Sequence, residues 1–331
     1  MTTQTSRALV VGTLCDGRRV QVSRNKCKSG LYVYARRTAS KPAQHVRVSA
    51  SGSLSAVAAK LDVGVGTLPS AIVSVIEKEL RSTVTRELGQ SSVRTDQYEI
   101  ALGTCLTLLA SIAASSVAAV ICDPPYGNTK GSSTSDGYNR QWDVAWSRAV
   151  WQDTMAHFWR VLQPGGHLLL FCQGQLGIDL VVWLMDKTAF YYDIIWVHHD
   201  PGGGTYNRKW QPGRSHERIL VLYKRTGHSG NSLYQPSTDT VANGSVIDVP
   251  KKSETFKVAR NSTSAKNMKP VALLQALVSR FVPEGGCVLD PCMNSGVCGV
   301  AALSMQRKFI GFEAIDKRYQ IACQWLASCS S

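Results

Sequence analysis

Hydrophobic and polar positions along the chain change rhythm twice. Over residues 1–50, short alternating runs such as Leu31-Tyr32-Val33-Tyr34 are broken by Gly17 and Gly30, the period-two pattern of a small β-hairpin or sheet. From 54 to 88 the spacing becomes helical: Leu54, Val57, Ala58, Leu61, Val63, Leu68 and Ile72 follow it, with a turn near Asp62-Val63-Gly64. A helix-turn-helix and a plain helical hairpin both fit this stretch. Gly64, Gly66 and Pro69 crowd what would be the recognition helix and weigh towards the hairpin. Polar residues 90–95 then predict a boundary, giving a module over 1–95 and a domain over 96–331.

Beyond that boundary, strands alternate with helices. Apolar runs predict strands over 98–102, 118–122, 167–172, 191–197, 219–224, 287–289 and 309–312. Helical stretches fall at 104–113, 148–162, 176–186, 270–282, 297–305 and 317–327. Such alternation implies a mostly parallel sheet covered on both faces. The strands at 191–197 and 219–224 have no helix between them and predict an antiparallel hairpin. Residues 225–266, rich in Ser, Thr, Gly and Asn, read as loop or inserted structure. The expected fold class is α/β: a Rossmann-like sheet, mostly parallel with one antiparallel hairpin, plus a small basic α+β N-terminal domain.

Charge sharpens the reading of that N-terminal module. The chain of 331 residues carries a formal charge of +14, and residues 1–48 hold ten Lys and Arg against the single acid Asp16. A surface of this kind attracts polyanions, because displaced counterions favour association. Arg18, Arg19, Arg24, Lys26, Lys28, Arg36 and Arg37 are the candidate phosphate contacts, although a solvated basic arm has the same composition. Arg208 and Lys209, after the turn at 201–204, are further candidates. The ten cysteines form no Cys-x-x-Cys pair and no His lies at ligand spacing from Cys287, Cys292 and Cys298, so no metal is expected. Cys122 and Cys172 end apolar runs and read as buried thiols. The apolar stretch 108–121 is too short to span a membrane, and no signal peptide is visible; an intracellular, non-secreted protein is expected.

The sharpest chemical signal is Asp123-Pro124-Pro125-Tyr126-Gly127, directly after the apolar run 117–122. Ligands of open α/β sheets bind at the carboxyl ends of strands. Two consecutive prolines fix φ and donate no hydrogen bond, so their carbonyls are held as rigid acceptors. A carboxylate beside them can receive the hydrogens of an amino group, and the aromatic ring can stack on the base that bears it. An exocyclic amino lone pair is delocalised into its ring; accepting its hydrogens localises it for attack on an electrophilic methyl group. A second signal is Val288-Leu289-Asp290-Pro291-Cys292-Met293-Asn294-Ser295-Gly296, a strand and tight turn ahead of the small-residue helix segment Val300-Ala301-Ala302. Glu313 ends the following strand, where an acid accepts hydrogen bonds from ribose hydroxyls in nucleotide-binding sheets.

Together these motifs resemble those of the amino-methyltransferase family, whose catalytic motif reads Asp/Asn/Ser-Pro-Pro-Tyr. Tyr98-Glu99-Ile100-Ala101-Leu102-Gly103 is similar to the family's lead-in. Arg160-Val161-Leu162-Gln163-Pro164-Gly165-Gly166 is similar to its helix end and glycine turn, and His216-Glu217-Arg218-Ile219-Leu220 to its His-Glu strand start. The segment 290–297 resembles the family's Asp-Pro-Phe-x-Gly-Ser-Gly-Thr cofactor motif, with Cys292, Asn294 and Val297 in place of Phe, the first Gly and Thr. Asn tolerates a left-handed backbone, so the turn can survive.

The resemblance implies S-adenosylmethionine as cofactor, bound by Asp290, Pro291, Asn294, Ser295, Gly296 and Glu313, with Asp123 at its edge. Lys269-Pro270 matches a pair that the family keeps near the cofactor carboxylate. The order of motifs is that of the circularly permuted β class. Its target-recognition region would correspond to residues 225–265. The resemblance further implies catalysis by Asp123, Pro124, Pro125 and Tyr126 on a flipped base in DNA, and the leading Asp implies adenine N6. Cytosine N4, RNA, and a cofactor-free DNA-binding partner subunit are the alternatives, and a homodimer stays open. Loop 127–139 would close over the base, with Trp142 and Trp146 either stacking there or simply packed.

Overall fold

The computed structural model describes residues 8–13, 19–24, 31–36, 44–47, 68–76, 78, 91–126, 146–184, 190–198, 215–224, 232–236, 244–250 and 268–329. The chain forms two compact units. One comprises Met1–Gln90, Thr104–Ser111 and Trp146–His157; the other comprises Ser91–Gly103, Ile112–Ala145 and Phe158–Ser331.

In the first unit, β1 (Ala8–Thr13), β2 (Arg19–Arg24), β3 (Leu31–Arg36) and β4 (Gln44–Arg47) form an antiparallel sheet in chain order. The alternating runs produce it: Val22 lies opposite Val33, and Val20, Val22, Leu31 and Val33 are buried. Arg19, Arg24 and Arg36 lie on these strands, with Arg19 opposite Arg36. Arg18, Lys26, Lys28 and Arg37 lie outside the described residues. Of the helical stretch 54–88, residues 70–76 form a helix (α1), and Leu68, Ile72 and Ile76 share its buried face at a spacing of one turn. The turn at 62–64, on which the helix-turn-helix reading depends, is also outside them. Cys105–Leu108 (α2) is a single turn continued by a 3-10 turn at Leu109–Ser111.

The second unit is built on a nine-stranded sheet. Its strands are β5 (Ser92–Arg94), β6 (Tyr98–Leu102), β7 (Val117–Cys122), β8 (Leu162–Cys172), β9 (Phe190–Val197), β10 (His216–Tyr223), β11 (Val246–Asp248), β12 (Cys287–Asp290) and β13 (Lys308–Glu313). Their order is β11-β9-β10-β8-β7-β12-β13-β6-β5. The five strands from β8 to β6 run parallel, while β10 is antiparallel to both β8 and β9. The fold is therefore Rossmann-like and mostly parallel, with β9 and β10 forming the antiparallel hairpin that the sequence predicts.

Every residue of β7 is buried, as expected for a strand covered on both faces. The helix α3 (Arg148–Val161) is divided between the two units at His157, and the helices of this unit are α4 (Gly174–Leu184), α5 (Val271–Phe281), α6 (Val297–Ser304) and α7 (Asp316–Cys329). Leu273, Leu274 and Leu277 of α5 join Ala301 and Ala302 of α6 and Leu326 of α7 in one core with β8 and β10. Each buried leucine contributes roughly 1.5–3 kcal/mol.

Three details depart from the sequence reading. β5 lies inside the polar stretch 90–95 and pairs with β6, so that stretch begins the sheet. β11 adds an edge strand within 225–266. The expected glycine turn at 163–166 lies inside β8 as a bulge: the register with β7 jumps from Leu162 to His167, Gly165 has φ +80°, and Gly165 N–H donates to Lys224 O at 3.0 Å while Lys224 N–H donates to Gly166 O at 2.9 Å. A Cβ on Gly166 would stand 2.7 Å from Ala118 O, so only glycine admits this approach.

From β7 the chain proceeds to β8 on one side, and from β12 to β13 on the other. The gap between the carboxyl ends of β7 and β12 is thus the topological switch point, the position at which open α/β sheets bind ligands. Asp123 follows β7 and Asp290 ends β12.

Candidate active site

Two acidic centres stand at this switch point. At the end of β7, Pro124 is buried, and Asp123, Pro125 and Tyr126 are partly exposed. Tyr126 donates its hydroxyl to Asp123 Oδ1 at 2.5 Å. Lys269 Nζ lies 3.0 Å from Asp123 Oδ2 and 2.9 Å from Glu217 Oε2. Lys269 comes from the extended segment before α5, whose N-cap is Pro270. Glu217 arrives because β10 runs antiparallel to β8: Arg218 sits opposite Cys172, so the start of β10 meets the carboxyl end of β8.

The ammonium is also ringed by aromatic faces, with Phe171 at 4.8 Å and Tyr126 and Trp196 each at 5.9 Å from their centroids. Burial alone would lower the Lys269 pKa, but the Asp123 and Glu217 charges outweigh it and hold it above its ordinary value. Burial and the same two carboxylates push the Tyr126 hydroxyl well up, so it remains a donor. Glu217 is the residue that the motif reading missed. It was visible only as part of the His-Glu pair at 216–217, with no role attached.

The second centre is made by backbone. Asp290 is buried and its Oδ1 accepts the N–H of Cys292 at 3.0 Å. Glu313 is buried at the end of β13 and accepts the N–H of Ile315 on Oε1 at 2.8 Å. Burial pushes Asp290 well above the usual carboxylate range, and raises Glu313 to about 7 despite the Ile315 and Asn294 N–H groups and Arg318.

Asn294 has φ +52° and Gly296 φ +83°, the left-handed turn that leads into α6. Met293 N–H donates to Phe312 O at 2.9 Å and ties the turn to β13. Ser295 is fully buried, with its hydroxyl on Met268 Sδ, and Pro291 is buried beside it. Cys292, in the position of the expected aromatic, is partly exposed.

The structure brings together Asp123, Tyr126 and Lys269 at one end, and Asp290, Asn294, Ser295, Gly296 and Glu313 at the other. Arg208, Lys209, Trp142, the loop 127–139 and the turn at 201–204 lie outside the described residues. Trp146 packs on Trp151 with ring centroids 4.8 Å apart. Of 225–265, residues 232–236 and 244–250 are described, and Ile247 is buried. Among the described residues no group of three His, Cys, Asp or Glu could hold a metal ion, and no helix is long and apolar enough to cross a membrane.

Comparison with known proteins identifies the family. The chain is 24% identical over 224 residues to the type II methyltransferase M.HpaI of Haemophilus parainfluenzae, covering 64% of this chain and 68% of that one. Among solved structures it is similar to the PvuII DNA methyltransferase (cytosine-N4-specific), with TM-score 0.54, 15% identity and 70% and 86% of the two chains covered. It is also similar to a DNA modification methylase of Thermus thermophilus, with TM-score 0.50, 21% identity and 71% and 95% covered. Residues 117–324 match the N6/N4 methyltransferase family, described as DNA methylase. That segment is well over half of the sequence, and the chain belongs to this family of DNA methylases, which use S-adenosylmethionine.

Proposed function

We propose that this DNA methyltransferase acts on the N6 amino group of adenine, and that Asp123 is the acceptor for that group. The observation that carries the reading is the double occupancy of the Asp123 carboxylate, by a phenol at 2.5 Å on one oxygen and an ammonium at 3.0 Å on the other. A carboxylate so placed at the end of the central strand, one-third exposed, can receive N–H donors from a base presented to the switch point. Accepting those hydrogens localises the nitrogen lone pair, and the Pro124 carbonyl supplies a second acceptor. The proton released from the nitrogen passes to Asp123. The Tyr126 ring stacks on the base.

The other end suits the cofactor. Asn294 Oδ1 is buried and has no hydrogen-bond partner among the described residues, an acceptor waiting for a donor. Asp290, Pro291, Ser295 and Gly296 shape the turn that would hold the amino-acid portion, and Glu313 would accept the ribose hydroxyls. Bound there, S-adenosylmethionine supplies an electrophilic methyl group on sulfonium sulfur. Residues 1–95 would add sequence-independent affinity through Arg18, Arg19, Arg24, Lys26, Lys28, Arg36 and Arg37, with Arg208 and Lys209 as further phosphate contacts.

Asp at the head of the motif supports adenine through the family resemblance. Nucleoside mass spectrometry tests it: unmethylated duplex DNA is incubated with protein and cofactor and digested. N6-methyladenine is expected. N4-methylcytosine would move the target to cytosine; no methylated base in DNA or RNA would leave a DNA-binding partner subunit without activity.

A further inference from the structure

Lys269 occupies the acceptor that the target amino group needs. Its Nζ lies 3.0 Å from Asp123 Oδ2, within the distance of an N–H donor to that oxygen. It is held from behind by Glu217 Oε2 at 2.9 Å. The two carboxylates differ in depth: the Glu217 side chain is 7% exposed and that of Asp123 is 33% exposed. An incoming base therefore meets Asp123 and not Glu217. The ammonium is 13% exposed and faces the rings of Phe171, Trp196 and Tyr126, so little of its charge is in water.

Separating a buried charge from all partners is strongly unfavourable, whereas exchanging one of two partners is not. Here one ammonium serves two carboxylates, so one partner can be released while the other keeps it neutralised.

We propose that Glu217 and Lys269 are a positioning pair for Asp123: Lys269 holds Oδ2 in place while the site is empty, and yields it to the target amino group by withdrawing onto Glu217. The exchange also strengthens the acceptor at the moment it is needed, because the ammonium that shared its charge has moved away. No bond forms or breaks in this step. The inference rests on the proposed function, since it requires Asp123 to receive the amino group. It gives Lys269 a task that its resemblance-based place beside the cofactor carboxylate does not include.

The test uses the full chain, unmethylated plasmid duplex, labelled cofactor and two variants, Glu217→Gln and the double variant E217Q/K269M. With Gln at 217 the ammonium keeps Asp123 as its one charged partner among the described residues, and the base must break that pair. A fall in kcat/KM for DNA of about tenfold or more is expected, carried mainly by KM. Removing the competing ammonium as well should return at least about fivefold of that loss. The cofactor Kd should stay within about threefold throughout.

Thermal melts establish that each protein is folded, and K269Q replaces K269M should the double variant melt below the assay temperature. A double variant no better than E217Q alone overturns the inference, because the ammonium would then not be what the base has to displace. So does a cofactor Kd raised about tenfold by the Lys269 substitution, which would assign the ammonium to the cofactor. Both are distinct from an inactive wild-type protein, which would overturn the proposed function itself.

Discussion

Asp123 and Asp290 stand at the ends of neighbouring parallel strands, yet their partners are of opposite kinds. Asp290 and Glu313 accept backbone N–H groups from two residues further along the chain. Asp123 accepts a phenol three residues away and an ammonium from a distant segment, itself tied to a glutamate 52 residues from it. Local backbone bonds form together with the turn that carries them. Side-chain bonds can be exchanged. The difference teaches that the end proposed for the cofactor is built from fixed local contacts, and the end proposed for the base from contacts that a substrate could take over.

The comparison can be broken most severely at Asp123. Replacing it by Ala is expected to lower kcat by roughly 10³-fold or more, since it removes the acceptor on which charge develops. Steady-state methyl transfer to duplex DNA measures this. A loss below tenfold would mean that the side-chain end is not where the chemistry happens.

At the fixed end, Glu313→Ala should act on binding. Losing hydrogen bonds to a charged acceptor corresponds to a cofactor Kd raised by roughly ten- to a hundredfold, read by calorimetric titration. An unchanged Kd would take Glu313 out of the cofactor site.

Gly296→Ala probes the turn itself. With φ +83° and a new Cβ 3.0 Å from the Cβ of Ala322, it should cost about 1–2 kcal/mol in chemical unfolding. Wild-type stability in this variant would show the turn to be less constrained than its backbone implies.

The smallest effect is in pH. Burial raises Glu313 from an ordinary 4.5 to about 7, so the folded chain binds this proton more tightly than the unfolded chain. Its contribution to stability is fully present below the unfolded value and is lost as pH rises through about 7. Asp290, also raised by burial, acts in the same sense. The melting temperature of the cofactor-free chain should therefore gain from this group on going from pH 8 to pH 5, and Glu313→Gln should flatten that gain.

Most of the fixed end was legible in the sequence because its parts are contiguous, and Glu313 ends the very next strand. Asp290, the Asn294 turn and the small residues of α6 occupy one run, and the period of the flanking apolar residues reveals strand and helix. The long central strands were legible for the same reason. β5 and β11 were not, because each is three residues at an edge of the sheet with a single inward residue, too little to display a period. The early start of β8 was hidden by Pro164-Gly165-Gly166: the turn they favour is kept as a bulge, and pairing with Lys224 holds it in the strand.

The exchangeable end was legible only in part. Asp123 through Tyr126 form a compact motif, but the Glu217–Lys269 bridge depends on β10 running antiparallel to β8. No local pattern announces that contact, and a Lys-Pro pair taken alone is the start of a helix.

The most direct measurement of the division between the two ends is a cofactor titration of the Asp123→Ala protein. The account predicts a Kd for S-adenosylmethionine within about threefold of wild type in a protein that no longer transfers methyl groups to DNA. An Asp123→Ala protein that transfers at the wild-type rate, or one that has lost the cofactor altogether, would contradict it.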